Sequence, residues 1–189
     1  MHKYFIGARD PEGASLTGSL HYLENLHYTM ATFEELSMPV RLFLKAYPWR
    51  HIHPTPWAHA SQPLNQSRIA VVSSAGFIRK GQKPFDDHAK GGDPSFRWIE
   101  QETPTENLME THRSQSFDHS GIQADPNLAL PLRRLKTLAK EGNIGSVNHR
   151  HASCMGSLTA PGKFTREAAP AIADGLIQDG VNRVLLVPV

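Results

Sequence analysis

The chain has 189 residues with 39% apolar side chains, 20 Lys and Arg against 18 Asp and Glu, and a formal net charge of +2. That length supports one sizeable core, the charge is too small to argue for a nucleic-acid binder, and no run reaches the roughly 18 apolar residues of a membrane helix. The single cysteine, Cys154, can form no internal disulfide and fits a reducing cytoplasm, and the start Met1-His-Lys-Tyr-Phe-Ile-Gly7 lacks the apolar stretch of an export signal.

Residues 1–19 are rich in Gly, Pro and Ser without periodicity and read as an irregular arm. Tyr22, Leu23, Leu26 and Met30 follow at helical spacing, then Phe33 and Leu36, and Pro39 starts a short helix over Val40–Tyr47. His51, His53 and His59 sit in a Pro-rich loop, where a surface role outweighs chelation. Arg68-Ile-Ala-Val-Val-Ser-Ser-Ala-Gly76 is the clearest strand, a small and branched run entering a turn. That turn presents Ser74 and Gly76 as candidate contacts for a small anion, but it has neither a dinucleotide nor a nucleoside-triphosphate fingerprint.

The polar segment Lys80–Asp93 is long for a structureless loop. Asp93-Pro94-Ser95 reads as a turn initiator, and the alternative puts Asp93 and Arg97 in a site. A short strand is expected near Thr111–Phe117, ending at Asp118-His119, a candidate acid/base pair if Gly121 turns the backbone. Leu128, Leu132, Leu135 and Leu138 predict a helix over Leu128–Glu141 stopped by Gly142, with Arg133, Arg134, Lys136 and Lys140 as its solvated face.

Ile144–Asn148 is a candidate strand leading to His149, His151 and Cys154. These match no zinc signature, so no metal is expected. Cys154 reads as an inert small hydrophobe unless a helix N-terminus activates it. Phe164-Thr165 is expected to staple and cap a last helix, which Pro170 could kink or start late. Val184–Val187 is then a buried parallel strand that follows at once. The expected fold class is α/β: an open, mostly parallel sheet with flanking helices and an irregular N-terminal arm. Residues 1–66 form N-terminal helical and irregular decoration, and 67–189 form an α/β domain incomplete at its carboxyl end.

The series Ala-Val-Val-Ser-Ser-Ala-Gly76, Gly-Asp93-Pro-Ser-Phe-Arg97, Phe-Asp118-His119, Asp-Pro-Asn127-Leu-Ala-Leu-Pro-Leu-Arg-Arg-Leu135, Glu-Gly142-Asn-Ile-Gly145, Met-Gly156 and Asp-Gly180-Val-Asn-Arg-Val-Leu-Leu-Val-Pro188 resembles the selenoprotein B family of glycine, betaine, sarcosine and D-proline reductases. The resemblance covers roughly residues 40–189. It implies that the last strand leads into a selenocysteine or cysteine just after Val189, so the chain reads as truncated at that position and lacking its nucleophile. It further implies reductive cleavage of a small molecule with a dithiol as electron donor, a pyruvoyl-type substrate-activating partner subunit and a thiol reductant. No cofactor is expected on this chain itself, with selenocysteine in the full-length form. Asp118, His119 and His151 are then possible acid/base groups, and Ser74, Gly76, Asp93 and Arg97 possible substrate contacts.

Two other readings compete: a non-enzymatic small-anion-binding or scaffold protein, and a histidine-dependent metal hydrolase. Truncation also predicts a partly exposed apolar surface near Leu185–Val189.

Overall fold

The run Arg68–Ser73 (β1) is the central strand of the sheet in a computed structural model that describes residues 32–48, 51–114 and 119–189. The expected arm over 1–19 and the helical spacing of Tyr22 to Met30 lie outside the described residues. The fold divides into Met1–Pro56 and Trp57–Val189. Within the first unit, Phe33–Glu35 is a 3-10 turn and α1 spans Met38–Ala46 with Pro39 in its first turn, where the missing amide costs nothing.

In the second unit β1 is followed by β2 (Phe77–Ile78), β3 (Phe96–Glu100), β4 (Met109–Glu110), α2 (Ser120–Ala124) and α3 (Leu132–Lys140). Then come β5 (Ser146–Val147), β6 (Arg150–Cys154), α4 (Ala169–Gln178) and β7 (Arg183–Val187). Ile69 pairs with both Val147 and Arg183, and Val72 with both Ala152 and Leu186, all in parallel. Hence β5 and β6 run along one side of β1 and β7 along the other. β3 adds antiparallel to the outer side of β6, so the sheet is open and mostly parallel, the expected α/β class.

Alternation along β1 builds two cores. Ile69 and Val71 join Leu132, Leu135 and Ile144 on the α3 side, and Ala70 and Val72 join Ile172 and Leu176 on the α4 side. Because both faces of β1 are covered, its apolar run is unbroken, and each fully buried branched side chain contributes roughly 1.5–3 kcal/mol.

The second strand is where structure departs from expectation. Four steps along β1, Arg68 to Val72, match six along its neighbour, Ser146 to Ala152. The surplus falls at Asn148-His149, so the expected strand over Ile144–Asn148 is a two-residue strand, a bulge, and a longer strand through Cys154. Side chains repair the ladder. The Val71 N–H donates to His151 Nδ1 at 3.1 Å, and Asn148 Nδ2 donates to the Arg150 carbonyl at 2.9 Å and to Asp179 Oδ2 at 3.0 Å.

Two helical expectations and one strand also shift. Leu128 lies in a 3-10 turn, Pro126–Leu128, and is exposed, because Pro131 prevents the helix from extending back to it. The short strand foreseen near Thr111–Phe117 is Met109–Glu110 instead, with residues 115–118 outside the described part. Thr165 does not cap a helix: its Oγ1 donates to the Pro161 carbonyl at 3.0 Å inside a π-type turn, Phe164–Ala168. Pro170 lacks the amide that would continue an α-helical ladder at this point, and α4 proper begins only at Ala169.

Arg150 ties β6 to the end of α4. Its Nε and Nη2 donate to the two Asp179 oxygens at 2.8 and 2.9 Å, and its guanidinium lies 4.3 Å from the centre of the Trp98 ring. Arg150→Met is expected to cost roughly 2 kcal/mol, read as a lower urea midpoint with unchanged slope. An unchanged midpoint would show that the pair contributes nothing net.

β7 is parallel to β1 as expected, but it is an edge strand and not the buried one that its apolar run suggested, because among the described residues no strand covers its outer side. Val184, Leu185 and Leu186 are 44%, 41% and 69% exposed, while Val187 and Val189 are half-buried against the α3-side core. The expected apolar exposure is therefore present at Leu185 and Leu186, together with Val184.

Candidate functional site

The carboxyl ends of β1, β6 and β7 converge, as the crevice of an open parallel sheet does. Beyond β1, Ser74 Oγ accepts from the Val189 N–H at 2.8 Å and lies 3.3 Å from the Val189 carbonyl, which pins the segment after β7. Beyond β6, Gly156 sits so close that a Cβ there would come within 2.6 Å of the Val189 carbonyl, 2.8 Å of His112 Nε2 and 3.0 Å of the Ser74 carbonyl. Only hydrogen fits. The chain exit of β7, the β1 turn and His112 therefore share one small space.

Gly76 supplies the turn that brings His112 there. Its φ of +67° is in the left-handed region, and a Cβ would press on the His112 backbone nitrogen at 3.1 Å. The Gly76 carbonyl accepts from both the Thr111 N–H and the Thr111 hydroxyl, at 3.1 and 2.8 Å. Antiparallel pairing of Phe77 with Glu110 then fixes the strand that carries the acidic partner.

Glu110 organises two histidines. Its Oε1 accepts from the His112 N–H at 3.1 Å, and its Oε2 lies 2.8 Å from His119 Nδ1. The Glu110 side chain is 8% exposed and that of His119 25%. His119 Nε2 lies 2.6 Å from the Ser114 carbonyl, so both ring nitrogens face oxygen acceptors. For both contacts to be hydrogen bonds, the pair must hold one proton more than a neutral imidazole beside a carboxylate, as imidazolium with carboxylate or imidazole with carboxylic acid.

His112 Nδ1 accepts from the Ser114 N–H at 3.1 Å, which places the proton of the neutral ring on Nε2, toward Gly156. Burial lowers the His112 pKa, with His119 and Arg113 acting the same way and Glu110 opposing. The group can thus present a neutral donor from His112 beside the hydrogen-bonded Glu110–His119 pair.

Of the residues singled out from sequence, Ser74, Gly76 and His119 meet at this group. Asp118 lies outside the described residues. Asp93 and Arg97 hold together the loop ahead of β3, whose Asp87 and Ala89 carbonyls accept from Arg113, the neighbour of His112. Asp93 accepts from Ser95 N–H and hydroxyl at 2.8 and 2.6 Å and from Asp86 N–H at 2.8 Å. Burial by itself would raise the Asp93 carboxyl, but these bonds and the Arg97 charge hold it below the ordinary range. Arg97 donates to the Lys83, Pro84 and Phe96 carbonyls and stacks 4.4 Å from the Phe85 ring centre.

His151 is fully buried in β6, and burial, reinforced by the His149 and Lys136 charges, depresses it to about 4. Cys154 is buried too, its thiol donating to the Ser73 carbonyl at 3.4 Å and pushed up to about 11 by desolvation. Among the described residues no three His, Cys, Asp or Glu side chains are placed to hold one metal ion. A surface cavity of about 780 Å³ beside the Arg79–Glu100 ion pair contains neither histidine nor cysteine in its lining.

Sequence reading missed Glu110 and His112. The available signal was Glu110-x-His112, two polar groups at strand spacing on one face, seven residues ahead of His119.

The family model for glycine/sarcosine/betaine reductase selenoprotein B (GRDB) matches residues 38–189. The chain belongs to this family. Relatives of this GRDB-family chain include the D-proline reductase subunit gamma of Acetoanaerobium sticklandii, 32% identical over 70% of the chain and 53% of that protein. The beta subunits of component B of the sarcosine and betaine reductase complexes of Peptoclostridium acidaminophilum are 26% and 30% identical, over 76% and 65% of the chain but 33% and 28% of their own lengths. The GRDB-family chain thus spans about half or less of these relatives. No solved structure matches it. Among the described residues no helix is long and apolar enough to cross a membrane.

Proposed function

We propose that the chain is the part of a reductase-complex subunit that shapes and protonates a reductive-cleavage site on a small molecule, with a dithiol as electron donor. The observation that carries this reading is the meeting of the β7 exit at Val189 with Ser74, Gly156 and His112, next to the Glu110–His119 pair, in a chain of the GRDB family. In this reading a selenocysteine or cysteine following Val189 in the longer protein supplies the nucleophile.

The residues of this chain then have distinct tasks. Ser74 and Gly156 hold the β7 exit in register and keep the space beside it open. His112 Nε2–H orients a polar group of the substrate, and His119 delivers the proton that a leaving amine needs, with Glu110 fixing the ring. A pyruvoyl-type subunit that activates the substrate and a thiol reductant complete the assembly, in the cytoplasm, where the dithiol donor stays reduced.

The test is to translate the gene past the codon after Val189 and assay the extended protein with its partner subunits on D-proline, sarcosine, betaine and glycine, with dithiothreitol as donor. An in-frame continuation with a nearby cysteine and dithiol-dependent turnover is the expected result. Noncoding downstream DNA, or turnover by the 189-residue chain unaided, would sink the reading.

A further inference from the structure

The outer edge of β7 is an exposed strand edge. Among the described residues no strand pairs with that edge. Exposed edges are ordinarily blunted by charge, proline or a bulge. β3, at the opposite edge, carries Arg97 and Glu100 within the strand, whereas the one charge of β7 is Arg183 at its start, tied to Ser67 Oγ, and Val184-Leu-Leu-Val187 carries none.

The apolar exposure continues onto the neighbouring helix. Val184 and Leu186, on one face of β7, line a groove of about 320 Å³ with Val72, Phe164, Ile172 and Leu176, and all its lining side chains are apolar. An unpaired strand edge and an apolar groove on the α4 side of the sheet are together the seat for one more strand and its covering helix. A parallel strand joined by a right-handed crossover brings both at once.

Resting on the reductase-subunit reading above, we propose that this surface is filled by the remainder of that subunit, as a strand parallel to β7 with a helix in the groove. The chain spans only 53% of D-proline reductase subunit gamma and smaller shares of the two component B subunits, so such proteins have the polypeptide to supply this unit. The added strand has alternating apolar residues, and the helix has an apolar stripe facing Ile172 and Leu186. Completing the sheet here also closes the wall of the crevice in which Ser74, Gly156 and His112 meet.

Amide hydrogen exchange tests this in the 189-residue chain at several concentrations and in the protein extended through its downstream reading frame. In the short chain the outward-facing amides of Val184–Val187 should exchange rapidly at every concentration. In the extended protein they should slow by about 100-fold, and Leu186→Asp in that protein should restore fast exchange. Concentration-dependent protection with dimerisation of the short chain would overturn the proposal in favour of a second copy. Fast exchange at β7 in an extended protein that catalyses dithiol-dependent cleavage would overturn it while leaving the reductase reading intact. Protection without turnover would support the surface and count against that reading alone.

Discussion

Acidification from pH 7 to 4 is expected to remove about 3 kcal/mol of stability through His151 alone. The unfolded imidazole takes its proton near 6.5, but in the fold burial holds that step down to about 4. Between those values the unfolded chain carries more bound proton, so stability falls as pH falls. The contribution is full above 6.5 and gone below 4. A gap of about 2.5 pH units at about 1.36 kcal/mol each gives the magnitude.

The geometry explains why protonation is so costly. Nδ1 already accepts from the Val71 N–H across the β5–β6 bulge, so a proton there would face a donor. Urea unfolding of the wild type and His151→Asn from pH 7 to 4.5 checks this. Asn retains an acceptor for Val71 and does not titrate, so its stability should fall less steeply over the window. His151→Ala, which orphans the Val71 amide, should lose about 2 kcal/mol already at pH 7. Parallel pH slopes for wild type and His151→Asn would show that the histidine is not the titrating group.

The second large effect concerns the Glu110–His119 pair. In the extended subunit, His119→Asn is expected to lower kcat by about 100-fold or more with a much smaller change in KM, because a proton donor acts on the chemical step. Glu110→Gln preserves shape and the acceptor for the His112 N–H, yet removes the charge beside His119 Nδ1. It should give a similar loss in kcat and displace the pH profile. A loss confined to KM, or an unshifted profile in Glu110→Gln, would assign the pair to substrate binding or to loop structure.

How much of this was legible beforehand differs from element to element. β1 and α3 were readable because local pattern and final environment coincide: a strand buried on both faces must be continuously apolar, and a covering helix must carry a stripe such as Leu132, Leu135 and Leu138. β6 was hidden because His149-Arg-His-Ala-Ser-Cys154 is too polar for a core strand by composition. Only its partners, Val71 for His151 and Asp179 for Arg150, make that polarity inexpensive. Glu110 and His112 were hidden because β4 is two residues long, too short for alternation to register.

From its residues alone, then, the chain determines its class, its central strand, its covering helices and the family to which its motif order points. The first three follow from local periodicity and turn chemistry, which act over a few neighbouring residues, and the family from the resemblance of its motifs. Tertiary structure alone decided which polar residues meet: it carried Asp93 and Arg97 into a loop clamp and sealed His151 under a bulge. It also gathered Ser74, Gly76, Glu110, His112, His119 and Gly156 at the end of β7. Such contacts join residues up to 115 positions apart, as between Ser74 and Val189, and their energies depend on distance and burial, quantities that no local pattern encodes.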